Sequence, residues 1–273
     1  GAADPDLEPT VAALGAEQWN TICSPWTAVA SVKLLTAELE RRWLPTVQQE
    51  GHLFIGLGAA SLGALCDLVD GLASKHLTAI GAVKSPTPPW IWGAVTAAVD
   101  AAETDPARPR KTLVLPGVIP PAKPQLSTRE EREVLLACGI STFTVDASNN
   151  AAIERLVTTH TTNALGVADP TWVDITTLRT LSYLRFSWNT LIERKYPRNK
   201  LARDGTDFDP NQPVVTPSVI KGERAGLVEG REQFEPDLSA EIDAGDPNRM
   251  NLVMVPDLIG QFLTLATRID FML

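Results

Sequence analysis

Two stretches of this chain place residue types at spacings that can do chemistry. In "HLFIGLGAASLG", His52 to Gly63, an apolar run is followed by Gly56, Gly58 and then residues that could open a helix. That is the order in which a dinucleotide site presents backbone amides to a pyrophosphate. The fingerprint G-x-G-x-x-G needs a third glycine, and Ser61 stands in its place. A carboxylate for the ribose should follow about 20 residues later, where "AIGAVKSP" offers Lys84 and no acid. The glycines therefore read as a turn that lets a helix approach a strand closely, with no cofactor upon them. The second stretch, "DGTDFDPNQPVVTPS", sets Asp207, Asp209 and Asn211 at the first, third and fifth positions of a calcium loop. Gln212 replaces the glycine that such a loop needs at its sixth position and Ser218 the bidentate glutamate at its twelfth, so it reads as a polar turn whose aspartates accept backbone hydrogen bonds.

Other reactive side chains are scattered. The three histidines, His52, His76 and His160, lack a second ligand type at metal spacing, and no serine sits in a G-x-S-x-G elbow. Catalytic, metal and cofactor-binding residues are thus expected to be none. The one strong local charge excess is basic: Arg194, Lys195, Arg198, Lys200 and Arg203. It reads either as a solvated helix end favoured by the helix dipole or as a docking patch for an acidic surface, which on an acidic chain includes another copy of itself.

The elements that must position these residues follow from periodicity. "WNTICSP", "HLFIGL" and "LTAIGAV" read as strands, separated by helical patterns over "SVKLLTAELERRW", Ser61 to Ala73 and Pro89 to Ala102. In the first helix Val32, Leu35, Leu39 and Trp43 recur at steps of three and four, one face of a helix. Strands alternating with helices imply an open, mostly parallel sheet. The proline-rich "LPGVIPPAKPQL" reads as a surface loop. Ser127 is the expected N-cap of the next helix, with Glu130 as capping-box partner and Gly139 past its end. From Gly139 the pattern changes: "ISTFTV" and "AIERLVTTH" read as a hairpin around "DASNNA", and a helix runs from about Thr176 to Lys195 until Pro197 stops it. The fold class expected is α/β, an open mostly parallel sheet with helices over residues 1–138, followed by an α+β C-terminal assembly domain over 139–273.

Composition sets the outer limits. A chain of 273 residues with 44% hydrophobic composition can bury a substantial core. Its 24 basic against 33 acidic residues leave a net charge of -9, which repels phosphate backbones and argues against nucleic acid as a partner. The apolar run from Leu53 to Cys66 falls short of the roughly 18 residues needed to span a bilayer, so no membrane partner is expected. Cys23, Cys66 and Cys138 are far apart and in apolar surroundings, and are expected to be reduced, buried thiols made in a cytoplasm.

A resemblance covers nearly the whole chain. "TLRTLSYLRFSWNTLIERKYPRNKLARDGTDFDPNQPVVTPSVIK", "AGLVEGREQFEPDL" and "DPNRMNLVMVPDLIGQFLTLATRIDF", with "TPPWIWGAVTAAV", "DPARPRKTLVLPGVIPP" and "GISTFTVD" upstream, resemble the tail sheath proteins of Mu-like contractile bacteriophages. The resemblance implies a structural, non-enzymatic subunit without cofactor. Such a subunit polymerises as a helical sleeve around a tail tube and contracts to drive the tube through the host envelope. A sheath from a related bacteriocin or secretion particle is the alternative, and a nucleotide-binding enzyme a more distant one. Implied partners are other copies of the chain, the tail tube protein, the baseplate and the tail terminator. The implied location is the virion tail, assembled in the host bacterial cytoplasm. Relative to the family the chain reads as shortened at its N-terminus, and "SVIKGERAGLVEG" as short of a helix between Ile220 and Ala225, by deletion or by missing residues.

One site reading follows from pattern. In "FLTLATRIDFML" the apolar Leu263, Leu265, Ile269, Phe271 and Leu273 share one face while Thr264, Arg268 and Asp270 take the other, a strand with one buried side. With Met250 to Val255 it is expected to join a sheet between subunits by strand exchange. Burying five such side chains gives an upper estimate on the order of 10 kcal/mol before ordering costs, so apolar burial would supply most of the join and hydrogen bonds its register. Arg194, Lys195, Arg198, Lys200, Lys221 and Arg224 are the expected contacts with the tube or a neighbour, and Glu223 lies among them.

Overall fold

A computed structural model describes residues 4–163, 165–209, 211–223, 237–246 and 248–255. By packing, the described residues up to Ser182 form one compact unit and those from Tyr183 another. The first contains α1 (Glu8–Ala13), β1 (Thr21–Ser24), α2 (Val29–Trp43), β2 (His52–Ala59), α3 (Leu62–Val69), β3 (Leu77–Val83), α4 (Pro89–Ala102), α5 (Arg129–Ala137), β4 (Ile140–Val145), β5 (Ala151–Arg155) and the first residues of α6 (Ile175–Lys195). The rest of α6, β6 (Lys200–Leu201), β7 (Val214–Val215), α7 (Pro217–Gly222), β8 (Asp237–Ile242) and β9 (Met250–Val255) belong to the second.

β1 to β5 lie side by side in sequence order. The first four are parallel and β5 closes the edge antiparallel to β4. Alternation along the strands makes two cores. Leu53, Ile55 and Leu57 of β2 and Leu77 and Ala79 of β3 face one side, where Val32, Leu35 and Leu39 of α2, Leu65 of α3 and Leu135 of α5 cover them. Phe54, Ile80 and Ala82 face the other, against Trp92 and Ala97 of α4 and Ile175 of α6. A strand covered on both faces reads as the near-continuous apolar run that its sequence shows.

The two glycines of the opening motif lie within β2, and α4 is the reason for them. A Cβ on Gly56 would stand 1.6 Å from the Pro89 carbonyl oxygen, and one on Gly58 2.6 Å from the Pro89 ring. Gly93 answers from the helix, where a Cβ would lie 2.6 Å from the Gly56 nitrogen. The residues bring a helix onto a strand, as expected, but by packing along the strand's face and not by turning the chain after it.

Several expectations need correction. The proline-rich segment does not simply run over the surface. Leu115 and Val118 are buried in the second core, and the stretch pairs with β5 through Leu115 N to Ala151 O and Ile153 N to Leu113 O, both 2.8 Å. The α5 cap is one residue later than expected: Thr128 is the N-cap and Glu131 its capping-box partner. Two adjacent cap-competent residues and two adjacent glutamates make both registers available to the sequence. Gly139 does follow the helix end, at φ +80. β5 stops at Arg155, well short of His160. The expected division between Cys138 and Gly139 falls between α5 and β4, and β4 joins the sheet beside β3. Finally, the cysteines are not three buried thiols. Cys66 and Cys138 form a disulfide, and Cys23 is exposed.

Charged side chains are buried in the first unit around Arg42 and around Asp100. The Arg42 side chain is 1% exposed, and its guanidinium donates to Glu38, Glu17 O and Gly15 O at 2.7–2.8 Å. The Asp100 carboxylate, fully buried, accepts from Arg110 Nε at 2.8 Å and from Arg179 Nη2 at 2.7 Å. Arg179 also donates to Asn20 O and Thr21 Oγ1, tying α6 to α4 and to the start of β1.

Candidate functional site

In the second unit a small apolar core organises everything else. Trp188 of α6, Val215 of β7, Ile220 of α7 and Ala240 of β8 are buried together, with Ile192, Tyr196, Leu201, Met250, Leu252 and Met254 against them. β8 and β9 form an antiparallel hairpin in the register Ala240↔Leu252 and Ser239↔Val253. Period-2 alternation sends Met250, Leu252 and Met254 of β9 into that core. It turns Asn251, Val253 and Val255 outward, and the two valines are 58% and 62% exposed. Among the described residues this sheet has two strands. Among the described residues the pair has a packed inner face, an outer face on which Val253 and Val255 stand beside Ser239, Glu241 and Asn251, and no third strand, which is the arrangement that strand addition uses.

The hairpin's connection is held by Asp243, whose Oδ1 accepts from the backbone amides of Gly245 at 2.9 Å and Asp246 at 3.0 Å. Its Oδ2 meets Asn251 Nδ2 at 2.7 Å and Arg249 Nη2 at 2.9 Å. The Asn251 bond is the largest of the effects that lower the Asp243 pKa.

The basic cluster is divided by its partners. Lys195, at the end of α6, pairs with Glu223, which also accepts from the Tyr196 hydroxyl. Lys195 first and Tyr196 second hold the Glu223 carboxyl below its ordinary range. The same hydrogen bond, with burial behind it, pushes Tyr196 up to about 12. Lys200 Nζ reaches Gln212 Oε1 at 3.3 Å. Arg194, Arg198, Arg203 and, on α7, Lys221 present exposed side chains. The structure thus brings Lys195 and Glu223 together, a pairing between residues 28 apart in sequence that no local signal announced. Arg224 and the run from Leu263 to Leu273 lie outside the described residues.

The residues that could have done chemistry have other partners. His52 Nε2 is 2.8 Å from Thr78 Oγ1 in the interior, and His76 Nδ1 is 3.2 Å from Gly51 O. His160 Nε2 is 2.9 Å from Asp169 Oδ2. In the polar turn Asp209 Oδ1 accepts from the Asn211 amide at 2.9 Å, the role expected of it. Among the described residues no group of three or more His, Cys, Asp or Glu side chains is placed to hold a metal ion, and no helix is long and apolar enough to cross a membrane.

The family model described as the phage tail sheath protein central domain matches residues 1–159. The chain belongs to the phage tail sheath family. Over 287 aligned positions this sheath-family chain is 37% identical to the Mu-like prophage FluMu tail sheath protein of Haemophilus influenzae. That match takes in all of this chain and 58% of the relative, so the chain spans a little over half of its length. Among solved structures, the sheath tail protein of Listeria innocua is similar with a TM-score of 0.62 at 15% identity, over 92% of this chain and 56% of that one. The helical sheath of the anti-feeding prophage in its contracted state is similar with a TM-score of 0.55 at 14% identity, over 99% of this chain and 76% of that one. At such identities the structural likeness speaks for the fold, a mixed α/β sheath architecture with a mostly parallel five-stranded sheet.

Proposed function

We propose that this chain is the working part of a structural subunit of a contractile tail sheath. It polymerises around a tail tube and, on contraction, drives that tube through the host envelope. The observation that carries this reading is the 37% identity to the FluMu tail sheath protein along the whole chain. No reaction is assigned to it, and its work is mechanical. Its partners are copies of itself, the tail tube protein, the baseplate and the tail terminator. It resides in the virion tail and is assembled in the host bacterial cytoplasm.

Within that function the second unit, from Tyr183 onward, links subunits. Among the described residues the β8–β9 sheet has two strands, and the half-apolar run from Leu263 to Leu273 is the strand that extends it on a neighbouring copy. Val253 and Val255, outward on β9, give that strand an apolar surface to cover. Arg194, Arg198, Lys200 and Lys221, with Lys195 and Arg224, face an acidic partner surface, on the tube or on an adjacent subunit. Charge of one sign on an otherwise acidic chain orients such a contact more than it strengthens it.

A bacteriocin-like particle is the second reading, favoured by the fold shared with the anti-feeding prophage sheath. Both readings make the same prediction at the molecular level. Full-length protein expressed with its tube partner should form hollow sleeves visible by electron microscopy. A protein that stays monomeric beside preformed tubes would contradict the proposed function.

A further inference from the structure

The five-stranded sheet has one weak seam. β2 and β3 are paired over seven register positions from Leu53↔Leu77 to Ala59↔Val83, whereas β3 and β4 are paired at only two, Ala79↔Ile140 and Ile80↔Ser141. Between those two strands the chain makes its longest excursion within the sheet, through α4, the proline-rich segment and α5. A parallel join of two residues over so long a crossover has little local cooperativity to hold it, because the closure entropy of the connection is set against very few ladder bonds.

The disulfide crosses this seam. Cys66 lies in α3, the helix that leads into β3, and Cys138 caps the C-terminus of α5, the helix that leads into β4. The two helices pack against one another on the same face of the sheet. Their cysteines have Cα atoms 5.7 Å apart and close a loop with a sequence separation of 72. Cys66 and Cys138 are both half-buried, packed against the edge of the first core. Cys23, the remaining thiol, is on the surface and outside this contact.

We propose that Cys66 and Cys138 form a redox-set clip on the β3–β4 seam: open as two thiols in a reducing compartment, closed as a disulfide when an oxidising one is met. The oxidant is a low-molecular-weight disulfide of the glutathione class. One protein thiolate attacks it, forming a mixed disulfide and releasing one small thiol. The second protein thiolate then attacks the protein sulfur of that mixed disulfide and releases the other. Two electrons leave the protein pair, one small disulfide becomes two small thiols, and the protons of Cys66 and Cys138 go with them. Closure removes chain entropy from any state in which β3 and β4 have parted. Taken with the sheath reading, on which the timing alone rests, the subunit would be open-clipped in the cytoplasm where it is made and closed-clipped in a particle outside the cell.

The test uses the whole chain in solution and does not depend on assembly. Chain equilibrated in reduced or in oxidised glutathione is alkylated, digested and mapped by mass, and hydrogen exchange is followed at the β3 and β4 amides. Oxidised chain should take one alkyl group, at Cys23, and yield a Cys66–Cys138 linked peptide. Reduced chain should take three. On oxidation the Ile140 and Ser141 amides should exchange at least about tenfold more slowly, and thermal unfolding should rise by roughly 5 °C or more. A Cys66→Ala, Cys138→Ala double variant should behave like reduced chain under both conditions. If that variant does not fold, the comparison of the two redox states of the unaltered chain decides alone. Three alkyl groups in both states, a link made by Cys23, or seam amides indifferent to oxidation would overturn the proposal.

Discussion

Gly56 and Gly93 meet with no side chain between them, so that the axis of α4 lies as close to β2 as two backbones allow. A methyl group at either position has nowhere to go, since its nearest neighbours are backbone atoms of the opposite element. Gly93→Ala is expected to destabilise the first unit by about 2–3 kcal/mol, although alanine has the better intrinsic helix propensity. Urea denaturation measures it. An unchanged or raised midpoint would show that α4 can lift off without cost.

The Asp100 carboxylate lies between two guanidiniums in the interior. Replacing it by asparagine keeps the volume and removes the charge, leaving Arg110, 3% exposed, facing Arg179. A loss of about 3–5 kcal/mol is expected, the usual consequence of an uncompensated buried charge. A Glu38→Gln change beside the exposed Arg41 and the buried Arg42 should cost less, because Arg42 retains two backbone carbonyl acceptors. Equal losses at the two sites would refute the ranking.

Acid should act in two stages. Burial first, and the charge of Arg179 second, hold His52 well below its ordinary 6.5, so the unfolded chain takes up a proton there that the folded chain refuses. Stability contributed by the neutral imidazole is therefore present above about 6.5 and declines as the pH falls below it. The second stage belongs to carboxylates. His76, with Lys75 behind it, brings Glu40 down to about 2 from 4.5. Thr171, with His160 behind it, brings Asp169 down to about 2 from 3.8. Their contribution is present above those ordinary values and is lost as the pH falls toward 2. Thermal unfolding at pH 8, 5.5 and 3 would resolve the stages, and His52→Gln should flatten the first only.

How much of this was legible in the sequence depends on how local the cause was. β2, β3 and α4 could be read from apolar runs and a 3.6-residue period, because burial on both faces of a strand leaves its mark within eight residues. The charge at the end of α6 was legible in the same way, whereas the inward and outward sides of Met250 to Val255 were not, because five of its six residues are apolar. What could not be read were pairings made across the chain. Leu115 and Val118 look like loop residues among prolines until β5 lies beside them. β4 looks like the start of something new until it is seen against β3, which is why a boundary drawn at Cys138 divides strands that share a sheet. The Cys66–Cys138 bond, the Asp100 node and the Lys195–Glu223 pair are of the same kind. Nothing near either partner points to the other.

At the proposed interface, Val253→Lys with Val255→Lys should leave folding within about 0.5 kcal/mol, as exposed positions allow, while abolishing sleeves. Light scattering and electron microscopy of the full-length variant check both halves. Normal sleeves from this variant would remove the outward face of β9 from the contact.

Strand exchange between copies is tested most directly by a cryo-electron-microscopy map of sleeves assembled from the full-length protein, traced through the chain from Leu263 to Leu273. The expected result is that this run pairs with β8 or β9 of an adjacent subunit and covers Val253 and Val255 there. A map in which it completes a sheet of its own molecule, with neighbours joined elsewhere, would contradict it.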